Sequence, residues 1–428
     1  MAILTNDQDR TNALASPVFW AFALVVLSKI VWYDVRVYLP PGDRRDVMTA
    51  MFAVWSLAQL AVYVPIWRDL MRQARSPLVL ALAAAVAPYL ALGIIDSRIN
   101  VFLLGDVVRY GMSAGFLVFG LWAVRHVPPA TMLRALMAAL ALMIAARTAL
   151  HLAIAPGPLR YGVAWELMLP CLIVAATLFM RRGVYVAAVA ALVVIVGLFA
   201  LGLARGLLLG AVLAAFVLWF ALAMARPSAL ARARIAALVM AAVALVVALE
   251  PPGRIASISA TMAINETLQY VTIAPLGALT RHERWQQDVA SGSVSLASRI
   301  SEALYFLERM RGDWRSILLG AGAGGFVTVA EPNGPQRIVR APHNTAVALL
   351  YRHGLPIGAG LLLFLSLYGL RSNIRDIAET VSIEWRVLLI GLVAYRLAAI
   401  VLAQFHQGLF DDPFVMMSIA AGVVARKH

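Results

Sequence analysis

The sequence predicts an all-α polytopic membrane protein of about twelve transmembrane helices. Of its 428 residues, 62% are hydrophobic and only 14% are charged, whereas a soluble domain has roughly 25% charged residues. The mean hydropathy is +0.83. The apolar residues come in runs such as 183–204 and 206–225, close to the roughly 20 residues that an α-helix needs to cross the bilayer. Because backbone groups must be hydrogen-bonded within the hydrocarbon, we expect these runs to be helices.

Twelve apolar runs are candidates for membrane spans. We place them near residues 17–35, 48–66, 77–95, 101–123, 130–155, 161–180, 183–204, 206–225, 231–250, 343–370, 386–405 and 410–425. Bulky residues follow the first run, so we expect it to remain as a helix and not to be cleaved as a signal peptide. The chain then divides into helices 1–9 in residues 1–250, a polar loop in residues 251–342, and helices 10–12 in residues 343–428.

The distribution of basic residues predicts the orientation. With the N-terminus in the cytoplasm, sixteen basic residues lie in inner segments and six in short outer connections, as the positive-inside rule requires. The inner set is Arg10, Arg68, Arg72, Arg75, Arg125, Arg134, Arg181, Arg182, Arg226, Arg232, Arg234, Arg371, Arg375, Arg386, Arg426 and Lys427, and the outer set is Arg36, Arg44, Arg45, Arg98, Arg160 and Arg205. This orientation places the polar loop on the outer face and both termini in the cytoplasm.

The polar loop contains two features of interest. Residues 298–311 have apolar side chains at positions 300, 303, 304 and 307, a spacing that predicts an amphipathic helix lying at the membrane surface or covering a cavity. Residues 318–326 then place four glycines within six positions. No Lys-Ser/Thr pair follows them, so this is not a nucleotide phosphate-binding loop. It is either a plain turn or a loop that lines a substrate site through Gly322 and Gly324.

A histidine begins the apolar run that follows the polar loop. His343 and Asn344 lie at the predicted outer end of a helix, where a histidine is mostly neutral at physiological pH and can accept a proton from a hydroxyl group. The alternative is a structural role at the helix N-terminus. His353 is ten residues further on, on a different helical face, so the two histidines form a poor metal site. The single cysteine, Cys171, lies in an apolar run and permits no disulfide framework or cysteine-based metal site.

Nearly all the positive charge is arginine. Lys29 and Lys427 are the two lysines among 36 basic residues, and the net charge is +14. Arginine binds phosphate through a planar, permanently charged fork, so the composition is compatible with an anionic lipid or diphosphate ligand. Arg205 separates two apolar runs at the outer face, where it either lies in an exposed turn or binds an anion.

Three further arginines lie deeper within predicted spans. Intramembrane charges usually face a partner or a cavity, and Asp106 is one helical turn from Arg109, so we expect these two to neutralise each other. No local partner is evident for Arg147 and Arg396, which either line the same outer cavity or lie nearer the interface. His406 lies at another predicted outer helix end with Asp411 and Asp412 nearby, and this group either binds a cation or, as we expect, hydrates the helix start.

In their order along the chain, these features resemble the O-antigen ligase and polymerase superfamily of bacterial envelope glycosyltransferases. In that pattern an Arg-Gly pair lies between two membrane helices, as Arg205-Gly206 does. A loop arginine, matched by Arg299, then precedes a glycine-rich segment, matched by residues 320–326. A His-Asn pair at a helix start, matched by His343-Asn344, is followed by Gly-x-x-x-Gly, matched by residues 354–358. The resemblance covers roughly residues 202–370.

The resemblance implies a GT-C-like fold in the bacterial inner membrane, with the active site facing the periplasm. The implied reaction, an O-antigen ligase step of lipopolysaccharide biosynthesis, transfers glycan from undecaprenyl diphosphate to a hydroxyl of lipid A–core. Arg205 and Arg299 would bind the diphosphate, His343 would orient or deprotonate the acceptor hydroxyl, and Asn344 and Arg147 would line the site with the two glycines. No metal or cofactor is expected, and the partners are the lipid-linked donor, the acceptor and membrane lipids, not nucleic acid.

Two other functions remain open at this point. A polymerase of the same superfamily elongates the lipid-linked glycan, and the spacings from Arg309 to Gly320 and from Arg311 to Gly322 match its Arg-x10-Gly motif. A transporter for a lipid-linked sugar would also bind diphosphate through arginines. The absence of a visible inverted repeat in the sequence argues against the transporter.

Overall fold

The computed structural model describes residues 17–29, 44–96, 101–154, 296–325, 327–329, 337–339, 344–402 and 410–424, with part of the segment 169–180. The predicted spans 183–204, 206–225 and 231–250 lie outside the described residues, as does most of the predicted span 161–180.

The described elements are almost entirely helical. In chain order they are α1 (Pro17–Lys29), α2 (Arg44–Tyr63), a 3₁₀ turn (Val64–Ile66), α3 (Trp67–Ala74), α4 (Pro77–Ile95), α5 (Val101–His126), α6 (Pro129–Ile154), α7 (Leu296–Arg311), α8 (Trp314–Leu319), β1 (Val327–Val329), β2 (Arg337–Val339), α9 (Thr345–Leu367), α10 (Leu370–Glu379), α11 (Ile383–Leu402) and α12 (Pro413–Val423). The two short strands form an antiparallel hairpin in which Thr328 pairs with Ile338.

Four described helical stretches are long and apolar enough to cross a membrane. They are Pro77–Ile95, Leu103–His126, Pro129–Ala146 and Thr345–Glu379, and α1 and α12 are shorter apolar helices. These helices indicate an α-helical membrane protein, as the composition predicts. The bounds of α4 coincide with the predicted span 77–95, and those of α5 and α6 differ from prediction by three residues or fewer. The total of twelve spans remains a prediction.

The main core lies between α1, α5, α6, α11 and α12. Helix α1 packs against α6, α12 against α5, and α11 against both α6 and α12. Large apolar side chains fill the interior, and Phe22 and Phe119 meet edge to face with ring centroids 5.0 Å apart. Small residues allow the closest backbone approaches: a Cβ on Gly120 would lie 3.0 Å from that of Ala420, as is common between membrane helices.

The amphipathic helix predicted at 298–311 is confirmed as α7. It packs against the first turns of α9, where Phe306 is fully buried and meets the Tyr351 ring edge to face at 4.7 Å. Its buried face contains Ala303, Phe306 and Met310, whereas Leu307 is exposed. The apolar spacing therefore predicted the helix correctly, but its contact with α9 determines which residues are buried.

The short helix α8 leads directly into the glycine segment, which we define as residues 320–325. Asp313 caps α8 by accepting hydrogen bonds from the backbone N–H groups of Arg315 and Ser316. Together with the Ser316 hydroxyl, these bonds hold the pKa of Asp313 below its ordinary value. Arg315 also makes a 2.8 Å ion pair with Asp96 at the end of α4. These contacts fix the position from which the glycine segment enters the helix bundle.

Helix α9 is broken at Gly354, which has φ 76° and ψ 169°. This conformation is essentially restricted to glycine. Pro356 follows and has no N–H, so the carbonyl of Arg352 lacks its usual helical donor. The backbone N–H of Gly322 supplies that hydrogen bond at 3.2 Å, and the N–H of Ala321 donates to the carbonyl of Tyr351 at 2.7 Å. The glycine segment therefore completes the hydrogen bonding of the broken helix.

The contact at the break leaves no room for side chains. A Cβ on Gly354 would lie 2.2 Å from the carbonyl oxygen of Leu318, and one on Gly320 would lie 2.4 Å from the carbonyl of Arg352. A Cβ on Gly358 would lie 2.6 Å from the carbonyl oxygen of Leu349, in the first half of the same helix. The spacing Gly354-x-x-x-Gly358 thus has a physical basis, since one glycine makes the turn and the other allows the close approach of the two halves.

Arg396 binds the other end of α9. Its buried guanidinium donates to the carbonyls of Leu365 at 2.7 Å, Tyr368 at 2.9 Å and Phe364 at 3.1 Å. These carbonyls lie at the C-terminal end of the helix, where backbone donors run out, although Phe364 also accepts a 3.2 Å hydrogen bond from the N–H of Tyr368. The expectation that Arg396 lines an outer cavity is wrong, because this arginine is fully buried and caps a helix end inside the bundle. Its position relative to the membrane interface stays a prediction.

We expect Gly354→Ala to destabilise the protein by about 1–3 kcal/mol from backbone strain alone, with the clash against Leu318 adding to it. The measurement is the midpoint of thermal unfolding of the purified protein in detergent. Gly360→Ala is the matched control in the same helix, because among the described residues no atom lies within 4 Å of its added Cβ. Equal midpoints for the two variants would contradict the break described above.

We expect Arg396→Gln to lower the same unfolding midpoint, because glutamine can replace only part of the three hydrogen bonds, and each buried carbonyl left without a donor costs about 1–3 kcal/mol. The control is Arg375→Gln, which changes an arginine whose side chain is 59% exposed. A midpoint for Arg396→Gln as high as that of the control would show that the cap contributes nothing.

Candidate functional site

The glycine segment also binds α4 and α5. The backbone N–H of Ala323 donates to the carbonyl of Tyr89 in α4 at 3.0 Å, and the N–H of Gly324 donates to the Asp106 carboxylate in α5 at 3.0 Å. Gly93 faces Ala323 so closely that a Cβ there would lie 2.5 Å from the Ala323 carbonyl oxygen. Four consecutive N–H groups, from Ala321 to Gly324, thus have acceptors on three different helices.

Asp106 is the charged centre of this contact. It is 2% exposed and accepts a 2.7 Å hydrogen bond from the Tyr89 hydroxyl in addition to the Gly324 bond. Arg352, just before the break in α9, approaches the same carboxylate to 4.0 Å. Buried charges are stable only when they are paired and hydrogen-bonded. The carboxylate therefore connects α4, α5, α9 and the glycine segment.

Arg109 has an ion-pair partner from a distant part of the sequence. Its guanidinium lies 3.2 Å from the carboxylate of Asp411, which is 4% exposed. The neighbouring Asp412 caps α12 and accepts a 2.7 Å hydrogen bond from the Tyr395 hydroxyl. The expectation that these two aspartates hydrate a helix start is wrong, because both are buried and have protein partners.

His353 lies beside Asp106 and Arg352 in a cluster of rings. Its Nε2 is 2.5 Å from the Tyr110 hydroxyl, and its ring lies 4.4 Å from that of Tyr89, centroid to centroid. The side chain is fully buried, and its Nδ1 has no hydrogen-bond partner among the described residues. This histidine belongs to the packed centre of the site and does not reach its surface.

A small cleft opens next to this cluster, at the first turns of α9. Its free volume is about 20 Å³, which is room for about one water molecule. Its polar lining is Arg109, Tyr110, Thr345 and Arg352, and its apolar lining is Ala348, Leu349 and Phe410. The guanidinium groups of Arg109 and Arg352 therefore meet at a narrow cleft beside the break in α9.

Some of the site residues predicted from sequence lie among the described residues, and others do not. His343 and Arg205 lie outside the described residues. Arg299 lies in α7, which packs on α9, and Arg147 lies in α6, which packs against α1 and α11. Asn344 caps α9, its side chain accepting a 3.0 Å hydrogen bond from the N–H of Val347.

The two predicted substrate-lining glycines lie inside the packed contact. Gly322 and Gly324 are buried, with Gly322 against Leu92 and Gly324 bonded to Asp106. Their N–H groups are used by the protein itself. The glycine segment, the Gly354–Gly358 break and the Asn344 cap nonetheless lie on one part of the fold, at the first half of α9.

The sequence analysis did not identify Arg352, or Tyr110 as the partner of His353. A signal for Arg352 was present in the sequence, because an arginine two residues before Gly-x-Pro stands in an otherwise apolar run. Such an intramembrane charge is by default a candidate for function. No comparable signal distinguishes Tyr110 from other aromatic residues of the spans.

Comparisons with known proteins add nothing to this description. No family model matches the chain, and neither a curated protein nor a solved structure matches it. Inferences about function therefore depend on the geometry and on the motifs in the sequence.

We expect Asp106→Ala to lower the thermal unfolding midpoint strongly, because it removes the acceptor of the Tyr89 hydroxyl and the Gly324 N–H and leaves Arg352 without its ion pair. Breaking a buried pair from one side costs about 3–5 kcal/mol. Asp69→Ala is the control, since its ion pair with Arg72 lies on the surface, where such pairs are worth about 0–1 kcal/mol. Similar midpoints for the two variants would contradict a central role for Asp106.

Proposed function

We propose that this protein is a glycosyltransferase of the O-antigen ligase type, which moves a glycan from undecaprenyl diphosphate to a hydroxyl of lipid A–core. The observation that carries the proposal is the contact between the glycine segment and the break in α9. Two motifs of the suspected family, about thirty residues apart in the sequence, meet there through the hydrogen bonds of Ala321 and Gly322 to Tyr351 and Arg352.

The surroundings of this contact agree with a substrate site in a membrane. Irregular backbone is tolerated at membrane depth only where it is buried in protein or lines a cavity, and the break in α9 lies beside the cleft that Arg352 lines. Asn344 fixes the backbone directly after His343 through its cap. Helix α7, which carries Arg299, packs on the same half of α9. The motif segments that the structure describes therefore lie around the first half of one helix.

The chemistry suits these residue types. A diphosphate is already a good leaving group, so the enzyme needs chiefly to stabilise the negative charge that grows as the sugar–phosphate bond breaks, and arginines can do this without a metal. We assign that role to Arg205 and Arg299, and the orientation or deprotonation of the acceptor hydroxyl to His343. Direct attack by the hydroxyl inverts the anomeric centre in one step, with no covalent intermediate.

The same proposal gives the location. We place the protein in a bacterial inner membrane, with both termini in the cytoplasm and the start of α9 at the periplasmic face, because the basic residues concentrate on the opposite side. Undecaprenyl-linked glycan and lipid A–core would then reach the site from the outer leaflet.

The test is a reconstitution of purified protein with undecaprenyl-diphosphate glycan and lipid A–core in the presence of a chelator. We expect a ladder of glycosylated lipid on gels, lost by at least about 100-fold in rate in His343→Ala and in Arg205→Ala. Arg134→Ala, an exposed arginine of α6, is the control and should leave the ladder intact.

The outcomes separate the candidate functions. Unchanged ladders from both variants would overturn the assigned roles. Longer lipid-linked chains from the donor alone, with no product on lipid A–core, would identify a polymerase. Movement of labelled donor across the bilayer without a new glycosidic bond would identify a transporter.

A further inference from the structure

The short helix α3 lies at the ends of two membrane-spanning helices. The chain turns from α3 into α4 through Arg75 and Ser76, and α4 is long and apolar enough to cross a membrane. The last turn of α5, a second such helix, reaches α3, where the Arg125 guanidinium donates a hydrogen bond to the buried side chain of Gln73. Because α3 contacts the start of one span and the end of another, it lies at the membrane–water interface.

One face of α3 packs on the protein, and the face beside it is apolar and exposed. Leu70 packs against the main core, and Gln73 is buried. Trp67 and Met71 are neighbours one helical turn apart, and they are 56% and 37% exposed. A tryptophan at this depth is typical of membrane proteins, because its ring contacts lipid while its N–H reaches the wet headgroup region. The row formed by Trp67 and Met71 therefore fits a lipid surface.

A row of arginines follows the apolar row around the helix. Arg68, Arg72 and Arg75 are spaced by four and three residues, so they share one face, and all three are exposed. Asp69 pairs with Arg72 at 3.4 Å on the surface. Among the residues that the structure describes, no ion pair is found for Arg68 or Arg75. Three guanidinium groups against one carboxylate leave an excess of positive charge beside the exposed tryptophan.

We propose that α3 binds anionic phospholipid of the adjacent leaflet, with the acyl chains against Trp67 and Met71 and the phosphate groups at Arg68, Arg72 and Arg75. The charges are complementary, since each guanidinium presents paired donors to phosphate oxygens. An anionic membrane surface also attracts arginines that lie next to a membrane span. Around α3 the apolar row lies between the packed face and the arginine row, which is the arrangement of an amphipathic helix lying along a membrane.

The lipid site is connected to the candidate functional site through α4. Two residues separate α3 from α4, and Tyr89 and Gly93 of α4 contact Ala323 in the glycine segment. Phospholipid that binds the folded chain and not the unfolded one stabilises this arrangement. The inference does not rest on the proposed function, because none of the motif residues takes part in it.

The test measures lipid binding to the full chain in detergent by native mass spectrometry. Phosphatidylglycerol, which is anionic, is compared with phosphatidylcholine that has the same acyl chains. We expect the wild type to prefer phosphatidylglycerol by about 10-fold or more, and Arg68→Gln to reduce this preference about 5-fold. The triple variant Arg68→Gln/Arg72→Gln/Arg75→Gln should remove it and leave phosphatidylcholine binding unchanged.

The matched control is Arg375→Gln, which removes an exposed arginine of α10 whose charge is balanced by Asp376 and Glu379 at 4.0 and 3.8 Å. It should bind both lipids like the wild type. Two results would overturn the site. One is a triple variant that keeps the wild-type preference for phosphatidylglycerol, and the other is a wild type that does not distinguish the two lipids.

A second measurement tests whether the exposed apolar row faces lipid. The wild type and Trp67→Phe are reconstituted in phosphatidylglycerol vesicles whose acyl chains are brominated, and the difference between their fluorescence spectra isolates the emission of Trp67. We expect the brominated chains to quench this emission. Quenching by iodide in the aqueous phase, with none by the brominated chains, would overturn the lipid site and indicate a soluble acidic partner for this face of α3.

Discussion

The fold around the candidate site depends on one constraint, which is that the carbonyls exposed by the break in α9 need hydrogen-bond donors inside a membrane protein. Gly354 interrupts the helix, and Pro356 cannot donate to the carbonyl of Arg352. An unsatisfied carbonyl in hydrocarbon costs several kcal/mol. The N–H groups of Ala321 and Gly322 meet this need, and for that reason a segment from a distant loop is inserted among the membrane helices.

The inserted segment brings its own polar groups into the helix bundle, and these groups also need partners. The segment has N–H groups of its own to satisfy, and Ala323 and Gly324 donate to Tyr89 and Asp106. The buried carboxylate of Asp106 then needs a positive partner, which Arg352 provides. The helix break, the glycines and the charged cluster are therefore one interdependent arrangement.

Hydropathy and helical spacing predicted the parts of the fold that depend on local sequence. The bounds of α4 and the existence of α7 follow from apolar runs and periodicity. The break in α9 was not predicted, because residues around Pro356 remain apolar and continue the run. Partners far apart in sequence, such as Arg109 and Asp411, cannot be derived from spacing, and carbonyl groups carry no sequence signal, so the cap formed by Arg396 could not be foreseen. The motif order pointed to the first half of α9, where the glycine segment meets the break, but not to Arg352 beside them.

The most direct test of this account is to measure hydrogen–deuterium exchange in the peptide that covers residues 320–325 of the purified protein. Because the N–H groups of Ala321, Gly322, Ala323 and Gly324 all donate to buried acceptors on α4, α5 and α9, we expect protection comparable to that of α5. Exchange at the rate of an unstructured peptide would contradict the account, since the glycine segment would then be a surface loop and the break in α9 would need other donors.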